Sequence, residues 1–159
     1  LADAVTHAVT IRHNFETAHR LPQLGGKCQN LHGHSWWTEV TVSAPAMPEH
    51  IVIEFGAFKR GIRQWIDTYL DHGTMLGADD PLVPALQAQG SRLYRFGAAN
   101  AVPAEKHAAD LAWPTVESVA VLLGRVGAEV LAGMESAPGA RITAVRVEET
   151  SVNAASWTR

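Results

Sequence analysis

"HGHSWWTEVTVSA", residues 32–44, decides the fold. On a two-residue period His32, His34, Trp36, Thr38, Val40 and Val42 share one face, and Glu39 and Thr41 take the other. That alternation predicts a half-buried strand. Upstream, "HAVTIRHNFETAH", residues 7–19, alternates in the same way, with Val9, Ile11, Phe15, Thr17 and His19 on its apolar face. A turn-rich loop containing Pro22, Gly25 and Gly26 separates the two strands. Three imidazoles, His19, His32 and His34, therefore point where the apolar residues point.

Downstream the period lengthens. Phe55, Phe58, Ile62, Trp65, Ile66 and Tyr69 recur at three and four, the stripe of an amphipathic helix with Lys59, Arg60 and Arg63 outward. The helix is expected to end near Leu70, leaving Asp71 and His72 at its C-terminus and Gly73 as the stop. "DDPLVPALQAQG", residues 79–90, predicts a short helix, "SRLYRF", residues 91–96, a strand, and residues 97–112 a surface insertion. A second amphipathic helix follows "WPT", with Val116, Val119, Ala120, Leu123, Val126 and Val130 inward, Thr115 as its cap and Glu117 in its first turn. "ARITAVRVEETSVNAASWT", residues 140–158, reads as two strands broken near Thr150–Asn153. The element order argues for an α+β domain over residues 1–159, an antiparallel sheet with its two main helices on one face.

The chain has 159 residues, enough for one domain and one substantial core. With 47% hydrophobic residues, 18% charged residues and a net charge of -3, it offers neither a nucleic-acid face nor a polybasic membrane anchor. A phosphate-bearing ligand must then be met by a local cluster of cations. No apolar run approaches the ~20 residues that span a bilayer. The opening "LADAVTHAVT" lacks the features of a secretion signal. The single cysteine, Cys28, leaves no internal disulfide and fits a reducing cytoplasm.

Histidines two apart on a strand project from the same face and can reach one tetrahedral ion. A third ligand from the neighbouring strand, for which His19 is the natural candidate, would complete a set with one open position, as in catalytic zinc sites. An isolated pair of this kind is more often an ordinary hydrogen-bonded pair, and His7, His13, His50 and His107 take that ordinary reading. Cys28 lies in a Gly-Gly-Lys loop rather than an apolar run. A thiol of reference pKa near ~8.5 becomes substantially thiolate beside a metal or a cationic imidazole.

"FETAHRL", "KCQNLHGHS", "IEFGAFK", "LDHGTML", "WPTVES" and "VRVEET" follow one another in this order over about residues 10–155. Together they resemble the 6-pyruvoyltetrahydropterin synthase superfamily. The three-residue gap between Cys28 and His32 resembles its bacterial branch, the 6-carboxytetrahydropterin synthases of the queuosine pathway. The resemblance implies the tunnelling fold, assembled as a trimeric β-barrel and commonly a hexamer. It implies zinc on His19, His32 and His34, a catalytic Cys28 with Asp71 and His72, and Glu149 as the pterin anchor. Thr115 is a further candidate contact to the pterin, and Arg20 and Lys27 are candidate cations for a triphosphate.

The implied reaction is that of a zinc-dependent carbon-oxygen lyase. It takes 7,8-dihydroneopterin triphosphate to 6-carboxy-5,6,7,8-tetrahydropterin, releasing acetaldehyde and triphosphate, for queuosine or another 7-deazapurine. Alternatives are 6-pyruvoyltetrahydropterin formation or another pterin side-chain cleavage, and a non-catalytic zinc or pterin-binding module. The chain departs from the family pattern at Glu54, usually Asp, at Gly77 and Trp113, each usually Asn, and in the length of 97–112. None of these is an implied ligand or catalytic position.

Overall fold

The computed structural model describes residues 5–159; residues 1–4, part of the opening stretch read for a leader, lie outside the described residues. The two long alternating runs form β1 (His7–His19) and β2 (His32–Ala44), paired antiparallel without a break from His7 opposite Ala44 to His19 opposite His32. Helix α1 (Phe55–Tyr69), β3 (Gly73–Gly77), α2 (Leu82–Ala88), β4 (Leu93–Phe96), α3 (Val116–Ala132), β5 (Arg141–Glu148) and β6 (Ala154–Thr158) follow. The strands make one sheet in the order β4-β3-β1-β2-β5-β6.

That sheet is mixed rather than antiparallel. β3 runs parallel to β1 and β4 parallel to β3, each reached through a helix. Parallel neighbours need such a crossover, and α1 and α2 supply it. β3, "GTMLG", was expected only as a helix stop. Five residues with adjacent Met75 and Leu76 both buried show no alternation to read. The straight alternation expected in β5 is also broken: Ile142 lies on the buried face with Val145 and Val147 because the register against β2 slips between Thr41 and Val42. One extra residue in a strand moves everything beyond it to the other face.

Both main helices cover one face of the sheet, α1 against β1 and α3 against β2 and β5. Phe58, Ile62 and Ile66 of α1 meet Val119, Leu123 and Val126 of α3 in a core that includes Ile11, Phe15, Trp36 and Val40. Each such side chain contributes about 1.5–3 kcal/mol by leaving water. Glu54 caps α1, accepting from the Gly56 and Ala57 amides, a role its longer side chain fills as Asp would. Thr115 caps α3 by accepting from the Ser118 amide at 3.1 Å.

Residues 97–112, expected as a surface insertion, are mostly exposed or half-buried and are anchored at Ala98, Glu105 and Ala108. A 3-10 turn at Pro103–Ala108 buries Glu105 and Ala108. Glu105 takes the Arg95 guanidinium and the Arg95 amide, and Tyr94 donates its hydroxyl proton to the Ala104 carbonyl at 2.8 Å. No helix among the described residues is long and apolar enough to cross a membrane.

Candidate metal centre and its surroundings

The β1–β2 register builds the centre. His19 stands opposite His32, and Thr17 opposite His34, so three imidazoles gather at the end of one strand pair. Their ring centroids lie 4.8–5.3 Å apart. Three ring nitrogens, one from each, all fall within 4.8 Å of one another. Trp36 lies beneath them, 5.0 Å from the His19 ring and 5.6 Å from that of His34, and its indole donates to the Thr17 carbonyl.

Backbone carbonyls set the tautomers. His19 Nδ1 donates to the Pro114 carbonyl at 2.8 Å and His32 Nδ1 to the Asn30 carbonyl at 2.7 Å. A carbonyl only accepts, so Nδ1 carries the proton and each Nε2 keeps a free lone pair. Burial pushes the His19 pKa down to about 4, and the neighbouring His32 and His34 add to the depression against the Pro114 bond. Burial also lowers His34. His34 Nε2 is buried without a hydrogen-bond partner. A buried polar atom left alone is costly unless something satisfies it. Neutral imidazoles with fixed outer tautomers and an orphaned nitrogen fit a borderline-soft divalent ion such as zinc, which takes nitrogen donors in tetrahedral sets.

Glu149, just past β5, brings its Oε2 to 3.6 Å from His19 Nε2 and 3.8 Å from His34 Nε2. Thr115 follows Pro114, whose carbonyl holds His19, and its hydroxyl is occupied by the cap on α3. Lys27 and Cys28 sit exposed in a 3-10 turn at Gly26–Gln29. The Cys28 carbonyl accepts from the Leu21 amide at 2.7 Å, which folds this loop back to the end of β1.

Asp71 and His72 form a pair on the turn between α1 and β3. His72 Nδ1 meets Asp71 Oδ2 at 2.7 Å, and Asp71 Oδ1 accepts from the Glu16 amide at 2.8 Å. Burial alone would raise the Asp71 carboxyl, but the Glu16 amide and His72 outweigh it and hold it below the usual range. His72 has a positive φ of 56°, and its side chain is 79% exposed. No hydrogen bond or ion pair joins Cys28, Asp71 or His72 to the three imidazoles among the described residues.

Arg20 is already engaged. Its Nε donates to Asp80 Oδ2 at 2.7 Å and its Nη2 to Asp80 Oδ1, and the Asp80 side chain is fully buried. The pair ties the end of β1 to the turn before α2. Sequence reading missed Asp80, the Pro114 and Asn30 carbonyls, and Arg92, whose Nη1 donates to the Asp67 and Asp71 carbonyls at 2.7 Å. Backbone carbonyls leave no side-chain signature, and Asp80 lies 60 residues from Arg20.

The model of the family described as 6-pyruvoyl tetrahydropterin synthase matches residues 8–159. The chain belongs to the 6-pyruvoyl tetrahydropterin synthase family. Among its curated relatives is 6-carboxy-5,6,7,8-tetrahydropterin synthase of Rickettsia typhi, 39% identical over 72 residues that cover 45% of this chain and 52% of the relative. The chain thus spans about half the length of the curated relatives it matches. Solved structures agree over the whole chain. An uncharacterized protein of Wolinella succinogenes superposes with a TM-score of 0.70 at 18% identity, covering 98% of this chain and 99% of that one. The 6-pyruvoyl tetrahydropterin synthase of Caenorhabditis elegans gives 0.63 at 19% identity, covering 98% and 96%. The expected α+β tunnelling fold is therefore the fold of this family member, with a mixed sheet.

Proposed function

We propose that this protein converts 7,8-dihydroneopterin triphosphate to 6-carboxy-5,6,7,8-tetrahydropterin, releasing acetaldehyde and triphosphate, as a cytoplasmic zinc enzyme of 7-deazapurine or queuosine biosynthesis. The observation that carries this reading is the orphaned His34 Nε2 beside two imidazoles whose tautomers are set by carbonyls, with the Glu149 carboxylate 3.6 Å from His19 Nε2 and 3.8 Å from His34 Nε2. The family model and the name of the Rickettsia relative support the substrate class.

His19, His32 and His34 would hold the zinc. Bound there, zinc supplies Lewis acidity toward oxygens of the pterin side chain. Glu149 faces the same volume, and its carboxylate matches the two-donor edge of an aminopyrimidinone, which orients the ring as well as binding it. Cys28 is the base for a carbon-bound proton, because a carbon acid gives its proton only to a well-placed acceptor. Asp71 orients His72 through the Nδ1 bond, leaving Nε2 to exchange a proton. Thr115 places Pro114 and the ring-facing end of α3, and Lys27 offers an exposed cation for the triphosphate. The Asp80 pair makes Arg20 a structural residue first.

Cys28 and His72 are exposed, and neither makes a hydrogen bond or ion pair with the imidazoles among the described residues. β4 and β6 are the edge strands of the sheet, each paired on one side only among the described residues. A trimer-based homo-oligomer that pairs such edges would bring these loops against a neighbouring copy's imidazoles. Incubating the zinc-loaded protein with 7,8-dihydroneopterin triphosphate and identifying products by mass tests the proposal. Carboxytetrahydropterin with stoichiometric acetaldehyde is the expected result. A pyruvoyl product, or unchanged substrate, would overturn it.

A further inference from the structure

The Pro114 carbonyl that fixes His19 is not part of a regular element, so something else must hold it. β3 and β4 run parallel and end together, Gly77 opposite Phe96, with Gly97 immediately beyond. The segment leading to Pro114 lies across these strand ends. A Cβ on Gly77 would stand 2.7 Å from two carbons of the Trp113 ring and 3.1 Å from the Ala112 carbonyl. A Cβ on Gly97 would stand 3.1 Å from the Ala112 Cα, and Gly97 has a φ of +71° that side chains rarely adopt. The two glycines thus form a seat for Ala112 and Trp113.

The segment upstream of the seat is tied down at several points. Gly97 donates its amide to the Ala108 carbonyl at 2.9 Å, and Leu111 donates to the same carbonyl at 3.0 Å. Arg95 on β4 grips Glu105. Downstream, the Thr115 amide donates to the Trp113 carbonyl at 2.9 Å while the Thr115 hydroxyl caps α3. Pro114 is held between a ring seated on the sheet end and a capped helix, with its fixed φ removing one further freedom. Its carbonyl reaches the one imidazole of the three that is fully buried.

We infer that Trp113, seated on Gly77, is the positioning residue of the metal centre, acting on His19 through the Pro114 carbonyl. The indole needs a position without a side chain beneath it, and Gly77 supplies one. The segment 97–112 becomes the arm that carries this ring. The inference rests on the reading of His19, His32 and His34 as metal ligands.

The test is zinc affinity, by competition with a chromophoric chelator, beside the thermal stability of metal-free protein, for wild type, Trp113→Ala, Trp113→Phe and Gly77→Ala. Loss of an outer partner of a metal-bound histidine costs about 10–100-fold in affinity. Trp113→Ala and Gly77→Ala are expected to weaken zinc by about 10-fold or more. Trp113→Phe, which keeps a ring on the seat, is expected to recover most of the affinity. If Trp113→Ala does not fold, Gly77→Ala and Trp113→Phe carry the same comparison. Folded variants that bind zinc as tightly as wild type overturn the inference alone. Wild-type protein without zinc affinity overturns the metal reading itself.

Discussion

His19 is buried at the end of β1 with one nitrogen pinned by a carbonyl, whereas Cys28, in the loop that follows, is exposed and offers its thiol to no partner among the described residues. The same contrast separates His34, packed on Trp36, from His72, which stands at a positive φ on an exposed turn. Imidazoles intended to share an ion gain from being fixed before it arrives, because less freedom is lost on binding. Groups intended to exchange protons with a substrate must be reachable. One strand register therefore gathers the first set within a chain, and the second set stands on exposed loops.

Two substitutions test this division most severely. His34→Ala removes a ligand rather than an outer partner, so zinc affinity should fall by more than the roughly 100-fold that an outer partner is worth, and turnover should vanish with it. Cys28→Ala should leave zinc affinity unchanged while lowering turnover by about 10²–10⁴-fold, the usual contribution of a positioned base. Chelator competition and single-turnover product formation, measured on both variants, read the two effects separately. A Cys28→Ala protein with full turnover would take the thiol out of the chemistry.

A smaller effect separates the two candidate cations. Arg20→Ala would strand the buried Asp80 carboxylate, and breaking such a pair costs about 3–5 kcal/mol. Urea denaturation should show that loss. Lys27→Ala, on an exposed loop, should change stability by no more than about 0.5 kcal/mol. Its expected effect is a raised KM for the triphosphate substrate. Equal stability of the two variants would refute the structural assignment of Arg20.

The strand pair and the three imidazoles were legible because a two-residue period states both the element and the face of every side chain in it. The helices were legible for the matching reason, although Phe55, placed on the buried stripe by period, is 56% exposed. β3 was not legible, since a short strand buried on both sides has no period. The bulge in β5 was hidden because one inserted residue is invisible in a pattern read on both sides of it. The Asp80 partner of Arg20 was not legible for a different reason: it lies 60 residues away in sequence. Cys28 and Glu149 carry no distinguishing local pattern, and their roles came from the family resemblance.

A further prediction concerns metal-free protein, where the buried half of the comparison leaves its own mark on stability. His19 in the folded state has a pKa of about 4 instead of 6.5, so between those values the unfolded chain binds a proton that the folded chain refuses. Stability then rises with pH across that window, is complete above about pH 6.5, and is lost progressively as pH falls toward about 4. At ~1.4 kcal/mol per pKa unit the His19 contribution is on the order of 3 kcal/mol, and His34, lowered by the same cause, acts in the same direction. Asp71, with its carboxyl held below 3.8, loses its contribution only under more acid conditions, outside this window. Urea melts in the presence of a chelator, compared between about pH 7 and about pH 5, should therefore show a falling midpoint that His19→Asn flattens. A wild-type midpoint independent of pH over that range would mean that His19 is hydrated in solution, and the cage would not be preformed.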